Sequence, residues 1–419
     1  MSTNLHNRAE PAPLCWSTEF CHGAWLLSDY ASVAAALRDP RFSVRRAARW
    51  VNSSISTSNI EKIAEEKQKL HAFKRILSRS LLFIDGAAHV RLRRVMQAGF
   101  NAAAMQAQAP RIAAIVEKLL QAILSKAACA HGTAMLEFDF ISDFARPLPA
   151  LVIADMLGID VVQQPDFVSS AATIAAFIGS PTPTQAQSMA AQDALLSMLD
   201  YFAEVIARRR LSSPTNDLIG LLLQAEDSGK LSGVDLLAQC CTLLFAGYET
   251  TRHLLGNGVL ALLQHPAQWQ LLQQQPQGMP TALRELLRYQ SPVQYTGRRL
   301  RADVELHGQP MRRGDLVILC LAAANHDPQR FSNPGQLDIC RDQGNHLSFG
   351  SGPHVCLGAA LTYLEADLAL RALMLALPEL SLAGAGPRWQ EHAAYHGLAS
   401  LPLRCRIKTT AHFPVPRHG

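Results

Sequence analysis

One stretch constrains the fold more than any other. It runs from Ser232 to Gln264, SGVDLLAQCCTLLFAGYETTRHLLGNGVLALLQ, and nothing in it interrupts a helix until Pro266. Ser232 and Asp235 have the spacing of a capping box, with Asp where Glu is usual. At 1.5 Å per residue, ~33 residues make a rod of about 50 Å. Apolar side chains surround that rod on every side, so it has to be buried along its length. The rest of the chain must supply the cover, and 419 residues at 48% hydrophobic and 17% charged can do so. The same composition excludes global disorder.

The remaining patterns are mostly helical. AWLLSDY (Ala24–Tyr30) reads as a short strand and turn, and ASVAAALRDP as a helix that stops before Pro40. Residues 47–80 are polar and then charged, and are expected to be mobile. Helical pattern follows from His89 to about Ala128, with Pro110 as a break, and from Ser142 to Leu157, with Pro147 and Pro149 delaying its start. Gln185–Arg210 reads as a further helix, after a loop held open by Pro181 and Pro183. Strand patterns come late, in DVELHGQ, DLVILCL and SLPLRCRI. The expected class is mainly α with small β-sheets (α+β).

Charge and cysteines narrow the function. Net charge is +5, and no dense Lys/Arg run marks a nucleic-acid surface. Nine cysteines occur at irregular spacing without a CxxC pair, which speaks against a zinc ribbon or a thioredoxin site. Scattered cysteines in a chain this long suit a reducing compartment. The first residues show no apolar signal core, and no run is long enough to span a membrane. A soluble, cytoplasmic, monomeric protein is expected.

FGSGPHVCLG, Phe349 to Gly358, carries the chemistry. Gly350 and Gly352 permit backbone shapes that other residues resist and let a flat partner come close. Pro353 stiffens the turn, and a strongly helical run begins after Cys356. A cysteine before a helix N-terminus is placed to be held as thiolate, and a thiolate in a tight glycine turn suits an axial haem ligand. Cys356 alone would more often be a buried structural cysteine, but six positions are constrained together. Phe349, Gly350, Gly352, His354, Cys356 and Gly358 match F-G-x-G-x-H-x-C-x-G, so the chain resembles the cytochrome P-450 monooxygenases. The resemblance covers about Ala24 to Ile407.

Within the long run, Gly247 and the pair Glu249–Thr250 are unusual in a buried helix. Thr250 can bond back to the carbonyl of Ala246 and open a groove. The structural alternative is a packing glycine beside a solvated Glu. The family carries A-G-x-[DE]-T here, matched by Ala246, Gly247, Glu249 and Thr250. That match implies proton delivery to iron-bound dioxygen by Glu249 and Thr250, with Cys356 as the metal ligand.

Other landmarks appear in order. Glu285 and Arg288 lie three apart on one helical face, a pair that the resemblance makes structural and buried. The third member of that set is expected at Gln336, where the family usually has arginine. His89 and Arg93 in HVRLRR, Arg298 in RRLRAD and His354 match the family's haem propionate contacts. Tyr363 in LTYLE stands where LARLE has arginine, near the face where an electron donor docks. The N-terminus leaves little room for the helix and strand that usually precede the WLL segment.

The resemblance therefore implies haem b (iron protoporphyrin IX) in a single domain over residues 15–409, with a loose arm at 1–14 and a tail at 410–419. It implies electrons from NAD(P)H through a ferredoxin or flavodoxin and its reductase. The substrate is expected to be a lipophilic small molecule of terpenoid or polyketide type. Phe177, Ile178, Leu244, Phe245, Val293 and Leu398 would line its pocket, with Gln294 and Tyr295 as polar anchors. Three rival readings stay open: aryl coupling or desaturation, oxidation of a carrier-tethered substrate, and a haem protein that only binds ligands.

Overall fold

A computed structural model gives the structure of residues 12–21, 23–55, 67–128, 135–160, 166–384 and 386–406. The central helix spans Gly233–Gln264, as its capping residues predict. Ser232 Oγ accepts the Asp235 N–H at 3.3 Å, and Asp235 Oδ2 accepts the Ser232 N–H at 3.2 Å. Its buried residues run round the whole circumference, which is why helices enclose it. Pro147–Leu157, Asp166–Ile178 and Gln185–Arg210 pack on one side of it. Met279–Tyr289 and Ala359–Ala376 pack on another.

A mixed sheet closes one flank. Leu14–Ser17 pairs antiparallel with Ala24–Leu27, which runs parallel to Leu316–Leu319. Thr296–Leu300 follows antiparallel, and Phe42–Ser43 forms the far edge. Trp25↔Val317 and Arg298↔Val317 fix the register, so Arg298 stands at a set height above the sheet's neighbours. A smaller sheet joins Met135–Asp139, Pro402–Arg406 and Ser381–Leu382. The expected class, mainly helical with small sheets, holds.

Four local expectations are corrected. Residues 47–80 are not a mobile stretch where they are described: Ala47–Ser53 and His71–Leu77 are helices that bury Trp50, Val51 and Phe73. Residues 56–66 of that stretch lie outside the described residues. Pro110 does not break its helix, which runs from Ala102 to Ala128. It is exposed, as is Gln106, so the carbonyl left without an N–H donor is on the solvent side. The break comes earlier, at Asn101, whose Oδ1 accepts the Ala104 N–H at 2.9 Å. A strand does fit before the WLL segment, because Leu14–Ser17 pairs there and the Pro13 carbonyl accepts the Ser28 N–H. Residues 12–14 are thus tied down; residues 1–11 and the expected tail at 410–419 lie outside the described residues.

The Glu285–Arg288 pair is buried, as expected, at 3% and 2% exposure. Arg288 forks onto Glu285, Nε to Oε2 at 2.7 Å and Nη2 to Oε1 at 2.9 Å. Arg288 Nη1 also donates to the carbonyls of Asn325 and Pro334, both at 2.8 Å. The third member is not Gln336. Arg341 supplies it, with Nε 3.1 Å from Glu285 Oε1, while Gln336 offers only its carbonyl to both arginines. The extra residues of the meander place the guanidinium five positions later than the sequence spacing suggested.

Candidate active site

The cysteine loop is built from backbone constraints. Gly350 and Gly352 have φ of +70° and +73°. A Cβ on Gly352 would lie 2.9 Å from the carbonyl of Leu37, the C-cap of the Tyr30–Ala36 helix, so the loop can approach that helix end only with glycine there. Cys356 N–H donates to the Phe349 carbonyl at 2.9 Å and closes the loop. The following helix starts at Ala359, with Gly358 as its N-cap. Cys356 is therefore outside the first turn, and the helix dipole does not dominate its thiol. Burial pushes the thiol up, and the Gly358 N–H and the charge of Arg93 pull it down by less. A free thiol there stays protonated, whereas a coordinated metal cation would deprotonate it outright.

Cys356 opens into a cavity of about 360 Å³. The opposite wall is the central helix, which presents Phe245, Ala246, Gly247, Glu249 and Thr250. Between Ala238 and Leu262, Ala246, Gly247 and Thr250 are the accessible positions of an otherwise buried stretch of helix. Thr250 does not bond back to Ala246 as its sequence context suggested; the helix is regular there. Thr242 makes that bond instead, to the Ala238 carbonyl at 2.6 Å. Glu249 is 6% exposed, with Oε2 at 3.3 Å from both Arg252 Nη2 and His253 Nε2. Burial raises its pKa, but the His253 hydrogen bond and the Arg252 charge outweigh this, and Glu249 stays ionised.

Basic side chains gather at the cavity edge. The His89 and His354 rings stand 4.1 Å apart, and Arg93 and Arg298 line the same cavity. Burial and these neighbours push His89 down to about 4, and its Nε2 has no hydrogen-bond partner among the described residues. Arg298 is 5% exposed, and burial and Arg46 bring it down to about 10, so it remains a cation at neutral pH. Asp85, unnoticed in the sequence, holds His354 Nε2 at 3.1 Å and the Ser43 hydroxyl at 2.6 Å. Its only sequence sign is its place four residues before His89. A soft axial donor beneath a broad apolar cavity, with an orphaned imidazole and two arginines at the rim, suits a flat metal macrocycle bearing carboxylates.

Comparison with known proteins decides the family. The cytochrome P450 family model matches residues 22–377. This chain is a cytochrome P450. It is 35% identical over 384 residues to cytochrome P450 CYP107DY1 of Priestia megaterium, covering 91% of this chain and 89% of that protein. It is 34% identical to the cytochrome P450 monooxygenase PikC of Streptomyces venezuelae, covering 91% and 85%. Among solved structures, P450BioI in complex with hexadec-9Z-enoic acid ligated acyl carrier protein superposes with a TM-score of 0.82. That structure is 32% identical and covers 94% of this chain and 95% of its own. The chain is thus an oxidoreductase of the P450 kind, and the family implies haem. No helix among the described residues is long and apolar enough to cross a membrane.

Of the expected pocket residues in this P450, Ile178, Phe245, Val293 and Tyr295 line the cavity. Four do not. Phe177 is turned away by the helical step from Ile178 and packs on Trp50 and Phe73, with ring centroids 5.1 and 5.0 Å away. Leu244 lies on the far side of the central helix from Ala246 and is 3% exposed within the core. Gln294 Nε2 donates to the Ser291 carbonyl at 2.7 Å, inside the wall. Leu398 is fully buried and packs, with Ile141, against Gly256 of the central helix. Sequence reasoning also missed Arg46, Tyr395 and Glu365, which do line the cavity. Glu365 is 1% exposed, its Oε2 lacks a partner among the described residues, and burial holds its carboxyl well above the usual range, so it is protonated.

Tyr363 is tied inward. Its hydroxyl is 3.0 Å from His346 Nε2, and its ring stands edge-on to Phe349 at 5.3 Å. His346 Nδ1 accepts the Ser348 N–H at 3.2 Å, so the ring is neutral with its proton on Nε2. Burial, with Arg284 and Arg288 nearby, pushes His346 down to about 4. The unfolded chain takes up that proton near pH 6.5 and the native chain does not, so stability falls as pH drops from about 6.5 to about 4. The loss is on the order of 3 kcal/mol. In His346→Gln the urea midpoint should lack this component, so the gap between wild type and variant narrows with acid. Parallel pH profiles would refute it.

Proposed function

We propose that the protein is a haem-thiolate monooxygenase acting on a lipophilic small molecule of secondary metabolism. One observation carries the reading: Cys356 opens into the same cavity as the Ala246–Thr250 face and the His89–Arg93–Arg298–His354 rim. In this reading Cys356 would ligate the iron, and the rim would hold the propionates, Arg93 and Arg298 by charge-assisted bonds. A haem held there would supply dioxygen activation, so that one oxygen atom could enter the substrate and the other leave as water. Electrons come from NAD(P)H through a ferredoxin or flavodoxin with its reductase, in the cytoplasm. Polyketide and biotin biosynthesis appear in the names of relatives 34% identical to this chain, which supports a biosynthetic role.

The protein's own part is proton management and exclusion of water. Glu249 is ionised and buried, with His253 and Arg252 behind it and Thr250 beside it on the cavity face. It can accept a proton from the His253 side and pass it to the Thr250 hydroxyl. General acid–base catalysis of this kind contributes about 10²-fold or more. Glu249→Gln should lower turnover by about that factor with substrate binding unchanged. In Thr250→Ala, NAD(P)H consumption should continue while product falls. The measurement is the ratio of product to NAD(P)H consumed; an unchanged ratio in both variants would remove the relay. Because one structural neighbour is bound to an acyl carrier protein, a carrier-linked substrate is the second reading.

A further inference from the structure

Among the described residues, Arg46 is a cation with no anion beside it. It opens the Ala47–Ser53 helix and lines the cavity. No carboxylate lies within ion-pair distance of it among the described residues. Its guanidinium instead lies over aromatic rings, 4.4 Å from the Trp50 centroid and 5.3 Å from that of Phe83. Gly297 makes room for it, since a Cβ there would lie 3.1 Å from Arg46 Nε and 3.3 Å from Cζ. None of these contacts belongs to the Phe349–Gly358 loop.

The groups around Arg46 do not neutralise it. Tyr295 and Tyr395 face the same cavity, but burial pushes both phenols up, Tyr395 to about 12. The Cys21 thiol donates to the Pro181 carbonyl at 3.1 Å. Arg298 and Arg299 add positive charge nearby. Burial brings Arg46 down to about 10, which still leaves it charged at neutral pH. An enclosed, unpaired charge is costly unless something pairs with it.

Haem does not need this cation. Arg93 and Arg298 line the cavity and would supply two cations for its two propionates, while His354 already pairs with Asp85. Arg46 is a surplus charge in the wall of a largely apolar cavity, whereas the neighbouring Arg299 is met by the Gly314 carbonyl at 2.8 Å. We propose that the substrate is an amphipathic monocarboxylic acid, with Arg46 as the residue that binds its carboxylate and the apolar wall as the seat of its hydrocarbon body. This rests on the monooxygenase reading above and refines its substrate class. A carrier-linked acyl group presents an uncharged thioester at that end, so Arg46 favours the free acid.

The test is optical titration of the ferric holoprotein with dodecanoic acid, its methyl ester and dodecanol. Wild type should bind the acid about 10- to 100-fold more tightly than the ester or the alcohol, as a charged hydrogen bond implies. Arg46→Met should remove the preference for the acid and leave ester affinity unchanged, and Arg46→Lys should keep most of it. Equal response to acid and ester in wild type, or no response to the acid, overturns the proposal. So does an Arg46→Met protein that loses haem or weakens acid and ester alike, because Arg46 would then serve a propionate or the fold. A carbon monoxide difference spectrum on each preparation separates the two levels. A missing thiolate band in wild type defeats the monooxygenase reading itself, whereas a normal band without acid preference defeats only the Arg46 assignment.

Discussion

Dithionite-reduced wild-type protein under carbon monoxide should show a strongly red-shifted Soret band, and Cys356→His should lose it. Product formation should fall below detection in the variant. The thiolate pushes electron density onto the iron and favours O–O cleavage, and an imidazole at the same site does not. The loop is suited to the test because its shape does not depend on the sulfur. Gly350 and Gly352 set the turn, and the Cys356 N–H bond to Phe349 survives any side chain. A variant that keeps the red-shifted band would show that another residue ligates the iron. Well-folded wild type without any such band would remove haem-thiolate chemistry altogether.

Arg288→Ala should come close to unfolding the protein. The substitution leaves Glu285, 3% exposed, with Arg341 as its remaining cation beside the Asp338 N–H, and strips donors from the carbonyls of Asn325 and Pro334. Breaking a buried pair by removing one partner costs about 3–5 kcal/mol. Total stability is typically about 5–15 kcal/mol, so most of the margin disappears. The control is Arg371→Ala, which removes a partly solvated ion pair to Asp367. Its expected cost is about 0–1 kcal/mol. Urea midpoints and haem content of the two variants give the comparison. Comparable losses in both would mean that the Glu285 network is not structural.

Several features were legible in the sequence because local physics sets them. The central helix begins and ends where its capping box and Pro266 say, since caps and missing N–H groups act within one turn. The cysteine loop is legible because six residues in ten positions define one turn. The acid–alcohol pair on the central helix is legible for the same reason. His89 and Arg93 share a face because they are four apart on one helix.

Other residues are set by distances that no local pattern contains. Arg341 rather than Gln336 completes the buried ion network because the meander's path, and not its spacing, brings a guanidinium back to Glu285. Ile178 faces the cavity and Phe177 does not because Trp50 and Phe73, more than a hundred positions earlier, claim the aromatic ring. Arg46, Phe83, Gly297 and Tyr395 come from four distant parts of the chain and meet in one wall. The sequence by itself determined the family, the central helix and the candidate iron ligand, since each is written in consecutive residues. Only the tertiary structure decided which charges remain unpaired in the cavity, because pairing depends on neighbours that folding, and not chain order, brings together.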